Sequence, residues 1–139
     1  MTVKTASNIA LTLAVLYTIL LLYLTHASMV DLKKNYGGII DFFGDKLLHI
    51  IAYTGLSTLY CVYSRFRFYE NRKSLTITAA LLGLFTVGDE LSQAFVERSV
   101  DPLDLMCNFA GISLGMLLSA VLITASLKFS LVKSDCDKA

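Results

Sequence analysis

Residues 9–25 read "IALTLAVLYTILLLYLT", and the only breaks in the run are single threonines and tyrosines. From Lys4 to Asp31 there is no formally charged residue apart from any charge on His26. A hydrocarbon core about 30 Å thick takes roughly 20 apolar residues in a helix, and this stretch is long enough to cross it. An N-terminal secretory signal is the rival reading, with Lys4 as its positive region and Ala27 near a cleavage point. The apolar run is longer than the usual core of such a signal, and this favours a membrane span.

Working outward, the same pattern returns three times. The expected spans cover about residues 7–27, 46–64, 74–96 and 103–127. The composition agrees, since 55% of the 139 residues are hydrophobic and 17% charged, with a mean hydropathy of +0.64. Soluble domains of this size carry far more charge. The expected fold is therefore all-α: an integral membrane four-helix bundle with antiparallel spans, a single membrane domain over residues 1–139. A net charge of +1 leaves no basic footprint for nucleic acid. Cys61, Cys107 and Cys136 lack zinc-site or disulfide spacing and read as free thiols.

Basic residues orient the bundle. The N-terminal segment, the loop 65–73 and the C-terminal tail hold Lys4, Arg65, Arg67, Arg72, Lys73, Lys128, Lys133 and Lys138. The opposite side holds only Lys33, Lys34, Lys46 and Arg98. The positive-inside rule then puts both termini in the cytoplasm and the first and third loops outside a cytoplasmic (inner) membrane. The carboxylates concentrate at the outer side, including Asp45, Asp89, Glu90, Asp101 and Asp104.

Three helices deliver polar groups to that side. Asp45, His49 and Tyr53 recur every fourth residue, so they share a helix face, with Lys46 adjacent. Asp89 and Gln93 share a face near the end of the third span, beside Glu90. At the fourth span Asp101 suits an N-cap, Pro102 the first helical position, and Asp104 the first turn, where a carboxylate meets the positive helix end. The face of Asp104 continues through Asn108, Gly111 and Gly115, and the two glycines permit close helix contact. Ionisable groups at membrane depth are costly and face the bundle interior, a partner or a wet cavity, so a shared outward-opening pocket is expected. Tyr17, Tyr23, Tyr60 and Tyr63 read as interface anchors or packing residues, and His26, near the outer end of the first span, as a snorkelling side chain in preference to one that touches the pocket.

"DKLLHIIAY" at 45–53 followed by "DELSQAFVERSVDPLDLMCNFAGISLG" at 89–115 resembles the VanZ-like family of small integral membrane proteins. The likeness covers a core of about residues 44–117, and its polar positions are Asp45, Lys46, His49, Tyr53, Asp89, Glu90, Gln93, Arg98, Asp104 and Asn108. One departure is Glu97, which stands where family members often carry Pro-Gly. The resemblance implies a link to teicoplanin susceptibility and hence to cell-wall precursors outside the membrane.

The site admits several chemistries. In an enzyme, a hydrolase or transferase on a phosphorylated or lipid-linked envelope substrate, His49, Asp89 and Glu90 form the chemical core. His49 is then base or nucleophile, and Lys46 or Arg98 neutralises a phosphate. Asp45, Tyr53, Gln93, Asp104 and Asn108 bind or support. In a metal variant, His49 with Asp89, Glu90 or Asp104 holds Mn²⁺, Mg²⁺ or Zn²⁺. A non-enzymatic protein would use the same groups for binding, transport or proton relay. As structural glue, they would form ion pairs such as Asp45–Lys46 and hydrogen bonds from Gln93 and Asn108 between helices. Membrane lipids are partners in every reading.

Overall fold

The computed structural model describes residues 3–27, 34, 37, 38, 44–68, 72–96 and 101–136. Four long helices account for nearly all of these: α1 (Val3–His26), α2 (Asp45–Phe68), α3 (Arg72–Ser92) and α4 (Pro102–Cys136), with a 3₁₀ turn at Gln93–Val96 continuing α3. All four contain a stretch long and apolar enough to cross a membrane: Lys4–His26, Asp45–Phe68, Lys73–Phe95 and Pro102–Ala125.

The polarity of the bundle is reversed relative to a protein in water. Leu16 on α1, Leu84 on α3 and Leu117 on α4 are each more than half exposed, while Glu90, Gln93 and Asn108 are at most 2% exposed. Apolar side chains turned outward meet lipid at no hydrophobic cost, and polar ones turned inward find partners.

The central helix is α2, which packs against all three others and most extensively against α4. Its seam with α4 is made of small and hydroxyl residues. A β-carbon on Gly111 would lie 2.5 Å from the Ile50 carbonyl oxygen, and one on Gly115 would meet Ser57 and the Thr54 carbonyl. Across this close approach Thr54 Oγ1 donates to the Gly111 carbonyl (3.2 Å), Ser57 Oγ to that of Ile112 (3.1 Å) and Thr58 Oγ1 to that of Gly115 (3.3 Å). Van der Waals contact and such interhelical bonds hold helices together where lipid offers no hydrophobic drive.

On the other side of α2, Tyr17 of α1 lays its phenol over Gly55 and donates to the Ala52 carbonyl (3.0 Å). Tyr60 shares a 3.1 Å hydrogen bond with Thr18. Both tyrosines therefore pack between α1 and α2, whereas Tyr23 is 69% exposed on the outer surface.

Candidate functional site

The polar site lies where the first turns of α2 and α4 meet the last turns of α1 and α3. Gly44, at φ +72°, adopts the left-handed conformation open to glycine, and its carbonyl accepts the Leu48 N–H (3.3 Å) to begin α2. Asp45 thus falls in the first turn, half-exposed, and the fourfold period carries its stripe inward to His49 and the fully buried Tyr53.

At the start of α4, Asp101 is the N-cap, its Oδ1 accepting the Leu103 N–H at 2.8 Å. Its carbonyl accepts from Asp104 (3.0 Å) and Leu105 (3.2 Å). Asp104 stands in the first turn as expected, and Asn108 follows one turn later, wholly buried. Lys46 of α2 donates to both Asp101 and Asp104. The Lys46 ammonium and the Leu103 N–H together hold the Asp101 carboxyl below the usual carboxylate range.

Between α2 and α4, His49 Nδ1 lies 2.9 Å from Asn108 Oδ1. With that oxygen accepting, Nδ1 carries the hydrogen and Nε2 presents its lone pair. Nε2 faces Asp104 Oδ2 at 3.8 Å and Asp45 Oδ1 at 4.0 Å, both beyond hydrogen-bond range. The Asn108 Nδ2 amide is buried and finds no partner among the described residues.

A second cluster sits at the end of α3. Asp89, buried, accepts from Tyr53 OH on Oδ2 (2.7 Å) and from Thr25 Oγ1 on Oδ1 (3.0 Å). His26 of α1 lies close by, its Nδ1 3.8 Å from Asp89 Oδ1 and its Nε2 2.8 Å from Ser92 Oγ. Glu90 accepts the Asp101 N–H on Oε1 (2.9 Å) and Gln93 Nε2 on Oε2 (3.4 Å).

The sequence candidates therefore divide. Asp45, Lys46, His49, Asp104 and Asn108 meet at the α2–α4 seam, while Tyr53 and Asp89 join α2 to α3. Glu90 and Gln93 pair with each other, and Glu90 reaches back to the α4 cap. The carboxylates facing His49 are Asp45 and Asp104, so a base at His49 would be oriented from α4 rather than α3. Lys46 pairs across helices with Asp101 and Asp104. Arg98 lies outside the described residues. Thr25, Ser92 and His26 are additional members. His26 is turned toward α3 instead of snorkelling, because Ser92 Oγ partners its Nε2 at 2.8 Å while the Leu22 carbonyl lies 2.9 Å from its Nδ1. The available signal was its place in the "TH" pair at the end of the first span, the end at which Asp89 was expected.

A cavity of about 700 Å³ between α1, α2 and α3 is lined by Leu56, Tyr60, Ile77, Leu82 and Phe85 among others, and by none of these carboxylates. It lies toward the opposite end of α2 and α3.

A model of the VanZ/LLP1 family matches residues 3–123. The chain belongs to the VanZ/LLP1 family. No curated protein and no solved structure matches it. Together with the four span-like helices, the match makes this a multi-pass membrane protein of the VanZ type.

Proposed function

We propose that this protein sits in the cytoplasmic membrane with both termini inside, and that its polar end faces outward and acts on a lipid-linked or phosphorylated cell-envelope precursor, altering susceptibility to glycopeptides such as teicoplanin. The observation that carries this reading is His49. It is a buried imidazole with one nitrogen bound by Asn108 and the other turned toward two carboxylates. A histidine held in one tautomer, with carboxylates to stabilise its charged form, suits proton transfer to or from a substrate hydroxyl, water or leaving group. Asp89 and Glu90 would serve on the same end through Tyr53 and the α4 cap, with Gln93 and Asn108 in support. The excess of basic residues at the other end supports the orientation.

A second reading, that these groups only fasten helices, draws on the Lys46 clasp of Asp101 and Asp104 and the Tyr53–Asp89 bond. One experiment separates the two. Cells expressing wild type, His49→Ala, Asp104→Asn or Glu90→Gln at matched membrane levels are scored for teicoplanin susceptibility, and each purified variant is unfolded thermally in detergent. The proposed function expects the susceptibility effect to vanish in His49→Ala while the melting temperature holds. An effect that falls only in step with melting temperature would establish the fastening role instead.

A further inference from the structure

The gap between His49 Nε2 and its two carboxylates is the wrong width for hydrogen bonds and a suitable width for an ion. Hydrogen bonds between such atoms span about 2.7–3.2 Å. Two ligands each about 2.1 Å from a shared ion, at a tetrahedral angle, stand about 3.4 Å apart. The observed separations from Nε2 are 3.8 and 4.0 Å, and single ligand atoms from Asp45, His49 and Asp104 all lie within 4.8 Å of one another. Small rotations of the Asp45 side chain, which is 42% exposed, would close the set.

We infer that Asp45, His49 and Asp104 form a binding site for a divalent first-row metal ion, Zn²⁺ or Mn²⁺. Two carboxylates and one imidazole make a ligand set suited to these ions. The surrounding groups complete the design. Asn108 accepts the Nδ1 hydrogen, the arrangement that orients metal-binding imidazoles and leaves Nε2 free to coordinate. Lys46 takes Asp104 Oδ1 and leaves Oδ2 toward His49. Among the described residues here, Lys46 pairs with Asp101 and Asp104 while Asp45 faces His49, so with neutral His49 these three carboxylates and one ammonium sum to −2, which a divalent ion would balance. The exposed Asp45 side leaves the ion open to water and to a further ligand.

The site also bears on the substrate class. Lys46 already serves two carboxylates, and an anionic phosphate approaching this cluster would meet net negative charge. A bound ion cancels that charge and gives a phosphate oxygen a ligand position. The ion site rests on the reading of this end as the working end, with one change: His49 Nε2 is then a ligand, and water on the ion takes over the proton-transfer role. It is tested on the isolated protein, so its failure and the failure of an envelope phenotype are distinguishable.

The test uses the full chain without a polyhistidine tag, purified in detergent, stripped with chelator and titrated calorimetrically with Zn²⁺ and with Mn²⁺. Binding of one ion per chain is expected for at least one of the two. Asp45→Asn, a change at a half-exposed side chain that leaves the core intact, is expected to weaken it at least about tenfold, as is Asn108→Ala through the imbalance it creates behind the imidazole. His49→Ala is expected to abolish it. Absence of binding of both ions to wild type, or wild-type affinity in Asp45→Asn and His49→Ala, would overturn the site.

Discussion

The hydroxyl of Tyr53 on α2 donates to Oδ2 of Asp89 on α3 across 2.7 Å, and neither residue is more than 4% exposed. The bond satisfies one oxygen of a carboxylate that lies within a membrane-spanning stretch. Removing the donor leaves a buried acceptor short of a partner, which costs about 1–3 kcal/mol or more when the acceptor is charged. Tyr53→Phe is thus expected to lower stability by at least that amount in detergent unfolding. In an Asp89→Asn background the same change should cost clearly less, and strictly additive losses would show that the pair is not coupled.

The α2–α4 seam leads to a packing prediction. Because a β-carbon at Gly111 meets the Ile50 carbonyl at 2.5 Å, Gly111→Ala must push the helices apart. Overpacking of this kind costs about 1–3 kcal/mol. The displacement would also stretch the Thr54 and Ser57 bonds to α4 and move Asn108 away from His49. Gly83→Ala, whose added carbon would meet only the Phe109 ring at 3.4 Å, is the control and should be nearly neutral. Equal melting temperatures for the two variants would remove the seam from the account.

A third prediction concerns acid. The Asp101 carboxyl is held below its ordinary range by Lys46 and by the Leu103 N–H. A carboxyl whose folded value lies under its unfolded one stabilises the fold above the unfolded value, and loses that effect as pH falls through the folded value. Asparagine keeps the cap and removes the charge. The melting-temperature gap between wild type and Asp101→Asn should therefore be steady from pH 7 down to about 5 and close as pH drops below about 4. A gap that ignores pH would assign the effect to the cap geometry rather than the charge.

Orientation is tested by labelling. With Cys61, Cys107 and Cys136 replaced, a cysteine introduced at position 41 or 100 should react with a membrane-impermeant thiol reagent in intact cells. Reaction only after permeabilisation would invert the topology and place the His49 cluster on the cytoplasmic side.

Much of this arrangement was legible because it is local. Apolar length marked the spans, the period of four put Asp45, His49 and Tyr53 on one face, and "SVDPLD" announced the α4 cap at Asp101 and Pro102. The glycines at 111 and 115 announced a close contact. What could not be read was the rotation of one helix against another. That rotation decides that His49 faces Asp104 while Asp89 faces Tyr53 and Thr25, and it depends on side-chain packing between elements far apart in the chain. The roles of Lys46 and His26 were hidden for the same reason, since the contacts that define them, Lys46 with Asp101 and Asp104 and His26 with Ser92, join residues 55 or more apart along the chain.

Asp101 has a mechanical consequence beyond capping. Its N–H reaches Glu90 on α3, its carboxylate reaches Lys46 on α2, and it begins α4, so a single residue rivets three helices at one end of the bundle. Toward the other end α1, α2 and α3 enclose a mainly apolar cavity. The polar base is thus the end at which one residue fixes the spacing of three helices, whereas the cavity end is held by separate pairwise contacts such as Tyr60 with Thr18 and Ser64 with Ser74.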